Sequence, residues 1–256
     1  MTVSVLSEAT SAHSHSISHR SHKEHNIQHW NKVGSSYNDD WAEVIAKLTT
    51  FVRSNLHRLP VTFPDAPSNS NESPSFSVLD YACGPGTVTD ILRNHASQFV
   101  GLDISENMVQ RYNERFRADI SSGLRADAFV GDLLDPSGTP DFLDAAKFKN
   151  FDLVASSGAF HHFEDIQLAT DRLSERLKPG GVLLVIDFKE HKPDDIIALD
   201  HPALPTISHH GFTDDQIREV FSAAGLEDME VVNAEEEVAM PGGFSRLPFM
   251  AWAKKL

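Results

Sequence analysis

The sequence predicts an α/β protein on a doubly wound, largely parallel sheet, and three observations carry that reading. Short apolar runs at Phe76 to Leu79, Phe99 to Leu102, Ala128 to Val130, Phe151 to Ala155 and Val182 to Phe188 are separated by polar or amphipathic segments. A parallel sheet covered by helices on both faces requires that pattern. The first run leads through Asp80-Tyr81-Ala82-Cys83 into Gly84-Pro85-Gly86-Thr87, a strand that enters a tight glycine turn and then a helix. The second run ends in Asp103, and an acid at the carboxyl end of such a strand is placed to accept hydrogen bonds from a ribose diol.

The remaining elements follow in chain order. Residues 1–25 are rich in serine and histidine, with His13, His15, His19, His22 and His25 among small polar side chains. Such a tract buries too little apolar surface to offset its ordering entropy, so it is expected to be a disordered tail ahead of one domain over 26–256. Trp41, Val44, Ile45, Leu48, Phe51 and Val52 recur at helical spacing. A Pro/Ser/Asn-rich connector fills 61–75. Ser105 is placed to cap a helix that carries Met108 and Val109, and a second helix is predicted from Glu164 to Leu177, stopped by Pro179-Gly180. Thr213-Asp214-Asp215-Gln216 is a capping box for a helix with Ile217, Val220 and Phe221 as its apolar stripe and Gly225 as its stop. Leu226 to Val232 and Phe249 to Trp252 are the sixth and seventh strands.

The glycine spacing narrows the ligand. A dinucleotide fingerprint needs a third glycine, but Thr89 stands near that place, and no lysine stands at the helix entrance for a phosphate loop. The segment instead resembles motif I of the class I S-adenosylmethionine-dependent methyltransferases, of the small-molecule type found in ubiquinone and menaquinone biosynthesis. Phe129-Val130-Gly131-Asp132-Leu133 resembles the family's third-strand exit, Phe151 to Ser156 its fourth strand, and Leu177-Lys178-Pro179-Gly180-Gly181 its turn into the fifth. His29-Trp30 through Tyr37 resembles its N-terminal element. The sequence departs from the family pattern at Ala82, where the first glycine of motif I is usual, and at Pro85.

The resemblance implies a seven-stranded, mostly parallel sheet with an antiparallel last strand. It also implies S-adenosyl-L-methionine as methyl donor, leaving as S-adenosyl-L-homocysteine. Asp80, Ala82, Cys83, Gly84 and Gly86 would shape the methionine side, joined by Tyr37. Asp103 would hold the ribose, while Ile104, Met108, Gly131, Asp132 and Leu133 would meet the adenine region and Ser156 the fourth-strand side.

Methyl transfer asks little of side chains, because the sulfonium is already activated. The protein holds the acceptor in line, excludes water and, for some acceptors, removes a proton. His162, after the fourth strand, is the first candidate base, ahead of His161, with His209 and His210 as further candidates. Asp187 and His201 are expected in the acceptor pocket, and Phe244, Phe249 and Met250 are candidates for its apolar wall. His201, His209 and His210 also admit a zinc reading, which nothing in their spacing fixes; no metal is predicted.

Composition sets the outer bounds. The chain has 256 residues with 40% hydrophobic content, enough for one substantial core. Its single cysteine excludes a disulfide framework. A formal net charge of -15 gives no general attraction to polyanions, so a small-molecule acceptor is expected ahead of nucleic acid. No apolar run is long enough to span a bilayer and no secretory signal is visible, which makes a cytoplasmic monomer or homodimer the expectation. A nicotinamide oxidoreductase and a non-catalytic binding protein on the same scaffold are the alternatives.

Overall fold

The computed structural model describes residues 21–34, 36–64, 76–117, 124–135, 138–192 and 203–256. Its main sheet holds β1 (Ser77–Tyr81), β2 (Gln98–Asp103), β3 (Arg125–Val130), β4 (Phe151–Ser157), β5 (Leu177–Phe188), β6 (Leu226–Asn233) and β9 (Pro248–Lys255), in the order β3-β2-β1-β4-β5-β9-β6. The strands from β1 to β5 pair in parallel, and β9 runs antiparallel between β5 and β6. The fold is therefore the seven-stranded, mostly parallel one expected, with its last strand reversed. A second, two-stranded sheet, β7 (Val238–Met240) with β8 (Phe244–Arg246), was not expected. Three-residue strands around Pro241-Gly242-Gly243 are too short to show an alternation in sequence.

Alternation along the central strands divides the core. Val78, Phe99, Leu153, Ala155, Leu184, Ile186 and Trp252 pack on one face with α3 (Ala42–Asn55), α4 (Thr87–Leu92) and α5 (Glu106–Arg117). Leu79, Val100, Val154, Leu183, Val185 and Ala251 pack on the other with α6 (Ile166–Ser174) and α7 (Asp214–Ala223).

Two boundaries differ from expectation. Helix α1 (His22–Val33), followed by the single turn α2 (Tyr37–Asp40), begins inside the segment assigned to the tail. Ser21 closes a capping box there: its Oγ accepts from the Glu24 amide at 3.2 Å and the Glu24 carboxylate accepts from the Ser21 amide at 2.9 Å. The rest of the predicted tail, residues 1–20, lies outside the described residues, as does 65–75 of the connector. Helix α6 ends at Ser174, not Leu177, because Leu177 already pairs with Phe151 and opens β5. The register then shifts before Leu153 pairs with Val182, so the Pro179-Gly180-Gly181 turn is a bulge within the strand and not the stop of the helix.

The strand order reverses between β1 and β4. In open sheets of this kind, ligands bind beyond the carboxyl ends of the strands that flank such a reversal. Those ends are Tyr81-Ala82 and Ser157-Gly158.

Candidate active site

The turn after β1 is set by backbone geometry. Ala82, Gly84 and Gly86 all have positive φ, at 53°, 50° and 89°. Ala82 thus holds the left-handed conformation where the family pattern carries glycine, at a cost of about 1–2 kcal/mol for an L-residue. The Gly84 amide donates to Asp103 Oδ2 at 2.9 Å and the Ser105 amide to Asp103 Oδ1 at 2.8 Å, which pins β1 and β2 exits together. Burial raises the Asp103 carboxyl to about 6, against the pull of these backbone donors.

The two glycines of the turn do different work. A Cβ added at Gly84 meets nothing within 4 Å, so its open side is room for a ligand. A Cβ at Gly86 would stand 2.3 Å from Phe116 Cε2 and 3.0 Å from Tyr112, so that glycine serves packing of α4 against α5. Asp80 also faces inward: its Oδ2 accepts from the Thr89 amide at 3.2 Å and hydroxyl at 2.9 Å, and Thr89 Oγ1 meets the Tyr112 hydroxyl at 2.8 Å. Desolvation pushes the Asp80 carboxyl up to about 7 despite those bonds.

Helix α1 roofs the crevice. Lys23 Nζ reaches Asp132 Oδ2 at 2.7 Å and Asp135 Oδ2 at 2.8 Å, while Asn31 Oδ1 accepts from Ser105 Oγ at 2.7 Å and from the Asn107 amide at 3.2 Å. Trp30 Nε1 donates to Asn26 Oδ1 at 3.2 Å, and the Trp30 ring lies edge-on to His162. These contacts tie residues 22–31 to β2, β3 and β4 exits.

Two cavities meet under this roof. The first, about 330 Å³, is lined by Tyr37, Ala82, Gly84, Asp103, Ile104, Met108, Gly131 and Asp132 among others. The second, about 420 Å³, has an apolar wall from α3 (Val44, Ile45, Leu48) and from Met240 and Phe244 of the small sheet, with His161, Asp187 and His209 on its polar side. Both are bounded by Ala82, Gly84, Ser157, Gly158, Tyr37 and His162. A Cβ at Gly158, φ 63°, would also meet nothing within 4 Å. The shared wall is therefore built from the two strand ends at the reversal, with glycine at each.

The adjacent histidines after β4 have different environments. His162 is held by its Nδ1, 2.6 Å from the Thr206 carbonyl, so that nitrogen donates. Burial, together with neighbouring His161, keeps its pKa well below the usual histidine value, and the bond to Thr206 only partly opposes this. His161 Nδ1 lies 2.8 Å from Asp187 Oδ1, and Asp187 also accepts the amides of Phe188 at 2.8 Å and His161 at 3.3 Å. The Asp187 side chain is fully buried, while the His161 ring keeps 18% of its surface open.

Of the residues expected at the cofactor, Tyr37, Ala82, Gly84, Asp103, Ile104, Met108, Gly131 and Asp132 line the first cavity. Asp80 and Cys83 border the second only, Asp80 committed to Thr89 and Cys83 buried in the core, its thiol pushed well up by burial. Gly86, Leu133 and Ser156 line neither; Leu134 and Ser157, each one residue on, take the places expected of Leu133 and Ser156. Among the expected acceptor-side residues, His162, His209, Asp187 and Phe244 line the second cavity, whereas His210 lies edge-on to His191, and Phe249 and Met250 are buried in β9. His201 lies outside the described residues. Among the described residues, no three His, Cys, Asp or Glu side chains are grouped to hold a metal ion, and no helix is long and apolar enough to cross a membrane. The roof residues His22, Lys23 and Asn26 were missed, and the Ser21-x-x-Glu24 cap was the signal that places them.

Comparison with known proteins agrees with this geometry. Residues 79–183 match a family model described as a methyltransferase domain. An uncharacterized methyltransferase of Schizosaccharomyces pombe is 33% identical over 81% of this chain and 80% of its own length. A tRNA N(3)-cytidine methyltransferase of Danio rerio is 32% identical over 62% of this chain, which spans only 47% of that protein. In fold, the chain resembles the magnesium protoporphyrin IX methyltransferase of Synechocystis, solved with bound S-adenosylhomocysteine, with a TM-score of 0.62 at 14% identity over 92% of this chain and 100% of the other. Similar along four fifths of a whole relative and built on the same sheet, the chain is an enzyme of the class I S-adenosylmethionine-dependent methyltransferases.

Proposed function

We propose that the enzyme methylates a small molecule seated in the 420 Å³ cavity, with S-adenosylmethionine in the adjoining 330 Å³ one. The observation that carries this is the shared wall: both cavities open onto Gly84 and Gly158, whose missing side chains leave space where methyl donor and acceptor would face each other. The acceptor-side cavity is enclosed by apolar side chains of α3 and the small sheet, a lining suited to a compact apolar molecule. The net charge of -15 argues against a polyanionic acceptor. The Synechocystis neighbour, whose name gives a porphyrin acceptor, is a precedent for small molecules on this fold, while the Danio rerio relative is one for RNA.

The donor, when bound, supplies a methyl group activated by a sulfonium. The chain's own residues would do the rest. Asp103, held by two backbone donors, would accept the ribose hydroxyls. Asp132, Ile104 and Met108 would border the adenine, and Tyr37 the methionine portion. Helix α1, tied down through Lys23, Asn26 and Asn31, would exclude water. A single domain over 26–256 in the cytoplasm, as monomer or homodimer, is part of the same proposal, extended at its start to include α1.

Calorimetric titration with S-adenosylmethionine, S-adenosylhomocysteine and NADH tests the donor side, and an acceptor screen against small molecules and tRNA tests the other. Binding of the two sulfur compounds and not NADH, with turnover of small molecules alone, is expected. NADH binding, or turnover confined to tRNA, would overturn the proposal.

A further inference from the structure

We propose that His161, oriented by Asp187, is the general base that takes the proton from a hydroxyl group on an apolar acceptor, so that the enzyme is an O-methyltransferase. This rests on the methyltransferase function proposed above and names the acceptor class of that same site.

The first ground is the tautomer. Asp187 Oδ1 accepts from His161 Nδ1 at 2.8 Å, and the same carboxyl takes two backbone N–H groups, so its oxygens act as acceptors throughout. The proton of the neutral ring is thereby fixed on Nδ1. Nε2 is left with its lone pair, makes no hydrogen bond among the described residues, and belongs to a ring that borders the acceptor cavity. A fully buried acid behind a partly open imidazole is the arrangement of an orienting group and a base.

The second ground is the contrast with the neighbouring ring. His162 spends Nδ1 on the Thr206 carbonyl and is pinned edge-on to Trp30, which suits it to hold the 203–209 segment over the site. Ser208 and His209 complete that attachment by donating their amides to the His161 carbonyl at 2.9 and 3.0 Å. The His161 backbone therefore anchors the cavity's cover while its ring faces the cavity. The other titratable groups lining this cavity are His29, Tyr37, Asp40, Asp80, Cys83, His162, His191, His209 and Arg246. Among the described residues, His209 Nε2 is buried without a hydrogen-bond partner, a second polar atom that an acceptor group would satisfy.

The third ground is chemical. An aryl amine, neutral near pH 7, attacks through a free lone pair and a thiol ionises readily, but a hydroxyl must give up its proton as the new bond forms. The acceptor oxygen forms the C–O bond to the methyl carbon while the C–S bond breaks and its electron pair stays on sulfur. The hydroxyl proton passes to His161 Nε2 and from there to water, so charge and atoms balance. Val44, Ile45, Leu48, Met240 and Phe244 supply the apolar surroundings for the rest of the molecule.

The test uses the full-length enzyme with two readouts. In the S-adenosylhomocysteine complex labelled with ¹⁵N-histidine, the His161 resonances, assigned by their loss in His161→Gln, are expected to report a proton on Nδ1 and none on Nε2. Asp187→Asn is expected to let the ring populate the other tautomer. Turnover is then measured with 2-naphthol and larger apolar phenols beside the matching amines and thiols. Phenols are expected to react, with kcat falling roughly 10²- to 10⁴-fold in His161→Gln and the acceptor KM little changed. A proton on Nε2 in the wild-type complex, wild-type rates in His161→Gln, or no phenol turnover by enzyme that binds S-adenosylhomocysteine would overturn the inference. Failure to bind S-adenosylhomocysteine at all would instead remove the function on which it rests.

Discussion

The two cavities are built in opposite ways. The donor-side cavity draws its floor from consecutive turns after β1, β2 and β3, each a few residues long, and each held by local bonds such as Gly84 to Asp103. The acceptor-side cavity is assembled from α3, the β4 exit, the 203–211 segment and the β7–β8 hairpin, pieces spread over some 200 residues of chain. The first is a fixture of the sheet reversal and the second a collection of attachments to it. Substitutions in the first should therefore act on fold and donor affinity, and those in the attached pieces that line only the second, α3, the 203–211 segment and the hairpin, chiefly on acceptor handling.

The largest effect that divides fold from site is expected within one turn. Gly86→Ala puts a methyl group 2.3 Å from Phe116 at a φ of 89°, and the clash plus the left-handed strain should cost about 3 kcal/mol or more of stability. Gly84→Ala has the same kind of φ but open space at its Cβ. It should lose only about 1–2 kcal/mol of stability, with a larger loss of S-adenosylhomocysteine affinity. Denaturant melts beside calorimetry separate the two. Equal stability losses would end the distinction drawn between them.

Asp80 gives an effect of comparable size, again on the fold side. Its carboxyl is raised by burial from 3.8 to about 7, so the folded state holds a proton that the unfolded chain releases at lower pH. The stability this contributes is complete below about pH 4 and is lost as pH rises through about 7. The shift corresponds to an effect on the order of 4 kcal/mol. Asp80→Asn should remove that share of the pH dependence, leaving the smaller one of the same sign from Asp103, raised to about 6. Thermal melts of both proteins between pH 4 and 8 check it, and parallel curves would refute it.

Asp103→Ala probes the donor side directly. Loss of its hydrogen bonds to a bound ribose should weaken S-adenosylhomocysteine binding by about 1.5–3 kcal/mol, some 10- to 150-fold. Calorimetry measures this, and unchanged affinity would remove Asp103 from the site. The same substitution should leave the ratio of turnover between competing acceptors unaltered, since Asp103 does not border the second cavity.

What the sequence revealed follows the same division. The strand order and the donor-side floor were legible because a strand, a glycine turn and an acid lie within about 25 residues of one another, as Val78 to Asp103 do. Within that stretch the reading gave Asp80, Ala82, Cys83, Gly84 and Gly86 alike to the methionine side of the ligand. Spacing does not tell what a residue packs against: Asp80 is bonded to Thr89, Gly86 lies against Phe116, and Cys83 is buried in the core. Of the adjacent histidines, the family resemblance put His162 ahead of His161, and nothing local distinguishes them. Their difference comes from Asp187, 26 residues on in β5, and Thr206, 44 residues on. The β7–β8 hairpin escaped for the related reason that its strands are three residues each. Helix α1 was hidden by composition, its apolar positions diluted by histidine and its cap lying in a serine-rich tract.

The smallest effect expected is at the roof. Lys23 bridges Asp132 and Asp135 across the mouth of the donor cavity, but its side chain is 39% exposed, so screening leaves such a pair worth no more than about 1 kcal/mol. Lys23→Ala should therefore weaken S-adenosylhomocysteine binding at most about fivefold, and raised salt should shrink the difference further. The other attachments of α1 include hydrogen bonds from Ser105 and Asn107 to Asn31, from His22 to the His162 carbonyl and from Asn26 to the Thr206 carbonyl. These do not depend on salt in the same way. If the roof is held chiefly by them, the wild-type enzyme and the Lys23 variant should show nearly the same protection of the α1 amides in hydrogen exchange with S-adenosylhomocysteine bound. Loss of that protection in the variant would instead make the exposed ion pair the main fastening of the donor cavity.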